Sequence, residues 1–222
     1  MTILTGLDAG GGSLLRWSSP VVTPPPSGPI PIHSYLLNNN ALDSAGTAHL
    51  GINGSPEFSI DSVEGSHSFN STSGYLELSS GFQPTGTAYS IHASIKRTGT
   101  DTGGILARYN VGIGQRGMSL IMQGSAVRWF NSSNGSYNSA QTCDSGALNL
   151  NQWYRVVATW QAGTIHDIYI DGVLSNSASS PASSSFLSSE PFSIGRYKSK
   201  SSYSNFQGLI DNVQIYDQVV TP

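Results

Sequence analysis

Charge is the scarcest ingredient of this 222-residue chain. Only 10% of its residues are charged, 10 Lys+Arg against 13 Asp+Glu, for a formal net charge of -3. A charge-driven disordered chain or a coiled coil needs far more Glu, Lys and Arg. A pI near 5.9 argues against nucleic acid as a partner, because that partner needs a basic face to displace counterions. No apolar run approaches the roughly 20 residues that span a bilayer, so no membrane segment is expected. Cysteine is nearly absent. Cys143 alone excludes an intramolecular disulfide and a thiolate metal cluster, and it is expected to be a small, semi-buried residue. Small secreted β domains lean on disulfides, so synthesis in a reducing cytoplasm is expected. The N-terminal stretch also lacks the basic and long apolar regions of a signal peptide. Long amphipathic helices are missing too, since Gly or Ser interrupts every apolar period.

What is abundant is Ser (38 residues), Gly (25) and β-forming residues, with 10 Tyr, 7 Phe and 4 Trp for a core. From Ile32 onward, short segments rich in Ile, Val, Tyr, Phe and Thr alternate with Gly/Ser/Asn clusters, the all-β pattern. Strands are expected over 32–37, 66–70, 74–78, 87–96, 104–109, 117–122, 126–131, 153–161, 165–170, 191–196 and 206–216. Asp171-Gly172 tolerates positive φ, so 165–176 reads as a hairpin. Length permits one sandwich domain over residues 31–222.

Residues 1–30 differ from the rest. Ile3, Leu4, Leu7, Leu14, Leu15 and Trp17 are separated by Gly10-Gly11-Gly12 and followed by Pro24-Pro25-Pro26. The prolines favour extended polyproline II, a semi-rigid spacer. This segment reads as an extended arm with its domain boundary near Pro29–Pro31. Its six apolar residues are the expected anchors on a partner surface, a second copy or the chain's own domain.

Few residues suit chemistry. Glycan hydrolysis needs two carboxylates flanking the scissile bond. The four glutamates, Glu57, Glu64, Glu77 and Glu190, fall in no alternating E-x-D-x-E run. No G-x-S-x-G elbow and no H-E-x-x-H occur. The expectation is therefore no catalytic residue and no cofactor. Two Ser/Asn-rich stretches suit sugar binding instead: Asn134 and Tyr137 in the first, Tyr197 and Tyr203 in the second. Their rings offer stacking platforms among hydrogen-bond donors; the bland alternative is solvated loop tips.

Trp153-Tyr154-Arg155-Val156-Val157-Ala158-Thr159-Trp160, Ile168-Tyr169-Ile170-Asp171-Gly172, Phe192-Ser193-Ile194-Gly195-Arg196 and Phe206-Gln207-Gly208-Leu209-Ile210-Asp211 through Tyr216 follow one another in a telling order. Together they resemble the laminin-G-like branch of the concanavalin A-like jelly rolls. The resemblance covers about residues 32–217 and implies an all-β, two-sheet antiparallel jelly-roll sandwich. Trp153 is expected to fill the space between its sheets. Relatives often carry a structural calcium ion, and the matching positions here are Asp43 and Asp211; the alternative is an Asx turn at Asp43 and a backbone hydrogen bond at Asp211. A lone jelly roll with a docking arm is similar to bacteriophage virion proteins of the capsid decoration or cement type. That implies a non-enzymatic structural role, docking on the major capsid protein or another virion protein, homo-oligomers such as trimers, and location in the virion after synthesis in the host cytoplasm. The alternative implied by the same fold is a carbohydrate-binding adhesin, from a phage tail or a bacterial surface, whose partner is a cell-surface glycan.

Overall fold

A computed structural model describes residues 28–78, 82–199 and 202–222. The chain separates into two units, Met1–Ile30 and Pro31–Pro222. The arm residues Ile3, Leu4, Leu7, Leu14, Leu15 and Trp17 lie outside the described residues.

The second unit is a sandwich of two antiparallel sheets, with no α-helix among the described residues. The strands are β1 (His33–Tyr35), β2 (Gly51–Gly54), β3 (Glu57–Ser59), β4 (Ser68–Asn70), β5 (Gly74–Leu78), β6 (Ala88–Arg97), β7 (Gly103–Asn110), β8 (Gln115–Gln123) and β9 (Ala126–Gly135). They continue with β10 (Thr142–Ala147), β11 (Trp153–Gln161), β12 (Ile165–Ile170), β13 (Val173–Ser177), β14 (Phe192–Ile194), β15 (Arg196–Ser199), β16 (Ser202–Asn205) and β17 (Gly208–Tyr216). The first sheet runs β13-β12-β11-β6-β17-β4-β3, with β1 on β17. The second runs β10-β9-β8-β7-β14-β5-β2, with the β15–β16 hairpin against β7.

Strand alternation sorts side chains between the core and the two outward faces. Tyr154, Val156, Ala158 and Trp160 of β11 point inward, as do Tyr89, Ile91, Ala93 and Ile95 of β6 and Trp129 of β9. Trp129 and Trp160 both pack on Tyr89, at 5.8 and 5.1 Å between ring centroids. The Trp129 indole donates to the Thr159 carbonyl at 3.2 Å, a bond that joins the two sheets. Trp153 has the opposite parity from Trp160. It does not fill the inter-sheet space; it is half-buried outside, and its indole donates to Asp61 at 2.8 Å. Cys143 belongs to the core, and burial pushes its thiol up to about 12. The Asp171-Gly172 turn has φ of 50° and 85°, the left-handed values that a two-residue hairpin requires.

Several strands run through segments poor in β-formers. The edge strands β2 (Gly-Ile-Asn-Gly) and β10 (Thr-Cys-Asp-Ser-Gly-Ala) are rich in Gly, Ser and Asp. Backbone pairing to β5 and β9 holds them extended, so tertiary context overrides propensity. After β17 the chain turns back across the outward face of the first sheet. There the Ser90 hydroxyl donates to the Gln218 carbonyl at 2.9 Å and accepts from the Val220 N–H at 2.8 Å. His92 Nε2 lies 3.0 Å from the Val220 carbonyl.

Candidate glycan-binding face

The outward face of the second sheet is built from one transverse row. Register pairs Glu77 with Ser193, Ser193 with Ala107, Ala107 with Ser119, Ser119 with Phe130 and Phe130 with Thr142. Facing pairs share a side of the pleat, so these residues point away from the core. Tyr109, two residues beyond Ala107 on β7, points to the same side. The rings then form a chain. Tyr137 stacks on Phe130 at 5.8 Å and 18°; Phe130 meets Tyr109 edge-on at 5.6 Å; Tyr109 meets Tyr197 at 6.1 Å.

Toward β5, Arg196 is held between two more rings. Its guanidinium carbon sits 3.3 Å from the Tyr75 centroid and 3.9 Å from that of Tyr203. Arg196 also pairs with Glu77. Delocalised and weakly hydrated, a guanidinium stacks well on aromatic faces. Four strand spacings separate β9 from β5, about 19 Å at the usual inter-strand distance.

At the other end lies an open depression of about 420 Å³ lined by Ser133, Asn134, Ser136, Tyr137, Asn138 and Gln141. Ser132 organises its wall. Its hydroxyl accepts from the N–H groups of Asn134 and Gly135 at 3.2 and 2.9 Å and donates to the Ser136 carbonyl at 3.0 Å. Gly135 is required here. Its φ is 81°, and a Cβ would sit 2.1 Å from the Gly114 carbonyl. Asn134 accepts from Ser136 N–H and Asn138 from Ala140 N–H, both at 3.0 Å. These bonds hold two carboxamides beside the exposed Tyr137 ring.

The four residues expected to meet sugar therefore share one face. Asn134 and Tyr137 line the depression; Tyr197 and Tyr203 lie on β15 and β16, which are strands and not the loop tips expected. The chain of rings that links them was not foreseen. Tyr75, Tyr109 and Phe130 follow the outward alternation of their strands, but only the pairing of strands distant in sequence brings them together.

Of the two expected calcium ligands, Asp43 is fully engaged within the chain. Both Asp43 oxygens are taken by donors: Ser34, Ala45 and Gly46 N–H on one, Ala48 N–H and His33 Nδ1 on the other, at 2.5–3.2 Å. Burial alone would raise this carboxyl. The bonds from His33, Ser34, Gly46 and Ala48 outweigh it and bring it to about 2. Asp211 Oδ2 accepts from Val63 and Glu64 N–H at 2.9 and 3.0 Å, its Oδ1 is buried without a partner among the described residues, and burial raises this carboxyl. A carboxylate ringed by N–H donors turns a chain; calcium wants six to eight oxygens. No group of three His, Cys, Asp or Glu suited to a metal occurs among the described residues.

Two carboxylates do lie on the aromatic face. Glu77 is paired with Arg196, while Glu190 accepts from Asn110 Nδ2 at 2.7 Å and lies 3.6 Å from Lys198. The space between them is about 10 Å³, room for one water and not for a glycosidic bond.

A sandwich of two such antiparallel sheets is a jelly roll. Residues 69–222 match Laminin_G_3, the Concanavalin A-like lectin/glucanases superfamily, and the chain belongs to that family. No curated protein matches the sequence. Among solved structures, domain 4 of AbnA, a GH43 extracellular arabinanase from Geobacillus stearothermophilus in complex with arabinotriose, superposes with a TM-score of 0.62 at 18% identity. The match covers 86% of this chain and 94% of that one. The binding domain of botulinum neurotoxin DC superposes with the same score, in complex with SialylT at 13% identity and with rat synaptotagmin II at 14%. Each of those matches covers 86% of this chain, which spans about half of the toxin domain, 48% and 49%. At these identities the likeness establishes the fold.

Proposed function

We propose that this protein is a non-catalytic carbohydrate-binding module, and that it binds an oligosaccharide along the outward face of the second sheet. The observation that carries this reading is the exposed Tyr137 ring, set beside the Asn134 and Asn138 carboxamides and backed by the buried rings of Phe130 and Tyr109. Tyr203 lies at the far end of the face, and a depression edged by Asn and Ser lies at its near end. Sugar rings present apolar C–H faces to aromatic planes and hydroxyls to carboxamides, so the face offers both halves of the recognition. Structurally similar domains are seen with arabinotriose and SialylT, and one also with rat synaptotagmin II, so the choice of a glycan rests on the chemistry of the face.

The test is a glycan array probed with the full chain and its Tyr137→Ala and Tyr203→Ala variants. Binding that weakens in both variants supports the reading. Absence of binding to every glycan, or binding indifferent to both tyrosines, overturns it. Docking on a virion surface is a separate proposal that rests on the arm alone. Its test is deletion of residues 1–28, which should abolish loading onto particles.

A further inference from the structure

We infer that the ligand of this face is an acidic oligosaccharide, bearing a carboxylate or a sulfate, and that Arg116 reads its charge; the inference rests on the glycan-binding reading above. Arg116 of β8 lies between the two parts of the site. Its register partner on β7 is in the Tyr109 pair, and its partner on β9 is Gly135, between Asn134 and Ser136 of the depression. Facing Tyr109 across the β7–β8 pair, Arg116 lies on the aromatic face and is half-exposed.

What separates Arg116 from the other cations of this face is its freedom. Arg128 is held by Asp144 through two bonds of 2.7 Å, Arg196 by Glu77, and Lys198 lies by Glu190. Arg108 falls between the outward-pointing Ala107 and Tyr109, and its Nε donates to the Glu190 carbonyl at 2.8 Å. Among the described residues Arg116 pairs with no carboxylate. A guanidinium has five donors in a fixed fork that matches a carboxylate or sulfate.

The wider charge distribution points the same way. The strands of the second sheet carry five cations (Arg108, Arg116, Arg128, Arg196, Lys198) against two acids (Glu77, Asp144), with Glu190 beside them as a third. The remaining described residues carry three cations (Lys96, Arg97, Arg155) against nine acids. An anionic glycan is thus attracted to this face and repelled by the rest of an acidic protein.

The experiment compares matched glycans, an acid-bearing member and its neutral parent, on the full chain and on Arg116→Gln and Arg116→Lys. Sialylated and sulfated members are scored separately, which tells carboxylate from sulfate. Acidic members should bind about tenfold more tightly, the scale of a charge-assisted contact, and the advantage should shrink as salt rises. Arg116→Gln should bring the preference below about twofold while neutral glycans still bind, and Arg116→Lys should keep part of it. Unchanged thermal unfolding of both variants would exclude a folding defect. Binding through Tyr137 with no acidic preference, or a preference that survives Arg116→Gln, overturns this inference and leaves the site standing. Absence of any glycan binding removes both.

Discussion

The two outward faces of the sandwich solve the same problem in opposite ways. Alternation puts small polar residues, Ser90, Ser94 and His92, on the outside of the first sheet, yet all three are buried. The segment after β17 lies across that sheet, and its backbone satisfies Ser90 and His92. Tyr216 adds a ring contact to His92 at 4.8 Å. On the second sheet alternation puts tyrosines outside. They pack edge to face on one another, but Tyr137 and Tyr203 each remain 49% exposed. One face is closed by the segment after β17; on the other Ser119, Phe130 and Tyr109 are buried beneath their neighbours, while Tyr137 and Tyr203 keep ring surface in water. A fold gives two faces, and what covers each decides which one can meet a ligand.

The comparison can be broken at its base by removing what the faces share. Trp129→Ala should cost about 3–5 kcal/mol, because it opens a cavity and deletes the indole bond between the sheets. Chemical denaturation should show the loss, and glycan binding should fall with the folded fraction. A variant that loses binding while retaining full stability would contradict the shared core.

A smaller effect should separate the faces. Removing residues 218–222 should lower stability by about 1–3 kcal/mol, the scale of a few hydrogen bonds, and leave glycan affinity unchanged. The closed face should also be acid-sensitive. Burial lowers the pKa of His92, a shift opposed by its bond to the Val220 carbonyl and assisted by the nearby Arg155 charge. The His92 Nδ1 is buried without a partner. A histidine whose folded pKa lies below its unfolded value near 6.5 contributes stability above that pH and loses it as pH falls. Unfolding midpoints should therefore drop between pH 7.5 and 5, and the truncated chain should show a shallower drop. Equal slopes would mean that His92 is not what the segment covers.

The smallest effect on the fold should be the largest on binding. Tyr137→Ala should move stability by less than about 0.5 kcal/mol, as exposed substitutions do, and weaken glycan binding about tenfold. Calorimetry on both properties separates the two faces. A Tyr137 variant that binds normally would place recognition elsewhere.

Much of the fold could be read from the residues. The run Trp153–Trp160, the Asp171-Gly172 turn and the closing 206–216 segment all form the elements expected of them. The strands not legible in the sequence, β2, β3, β10, β15 and β16, are short and rich in Gly, Ser, Asn, Asp and Lys, and backbone pairing to other strands holds them extended. Trp153 was misplaced because a strand's first residue does not reveal its parity, whereas Trp160 continues the inward set. At the site, Asn134, Tyr137, Tyr197 and Tyr203 were visible as chemistry but not as one surface. What gathers them is Phe130 and Tyr109, from different strands, and no local pattern reveals how those strands pair. Asp43 shows the reverse case: its L-D-S-A-G setting suits an ion or a turn equally, and only the five donors around it decide for the turn.

The central claim is that the outward face of the second sheet is where this protein meets its ligand. Amide chemical-shift mapping of the full chain, titrated with a glycan selected on the array, tests it most directly. The shifts should cluster at residues 132–138, at Arg116 and on the β15–β16 hairpin, and be silent at Ser90, His92 and residues 216–222. Shifts concentrated on the first sheet, with the tyrosine face unmoved, would contradict the account.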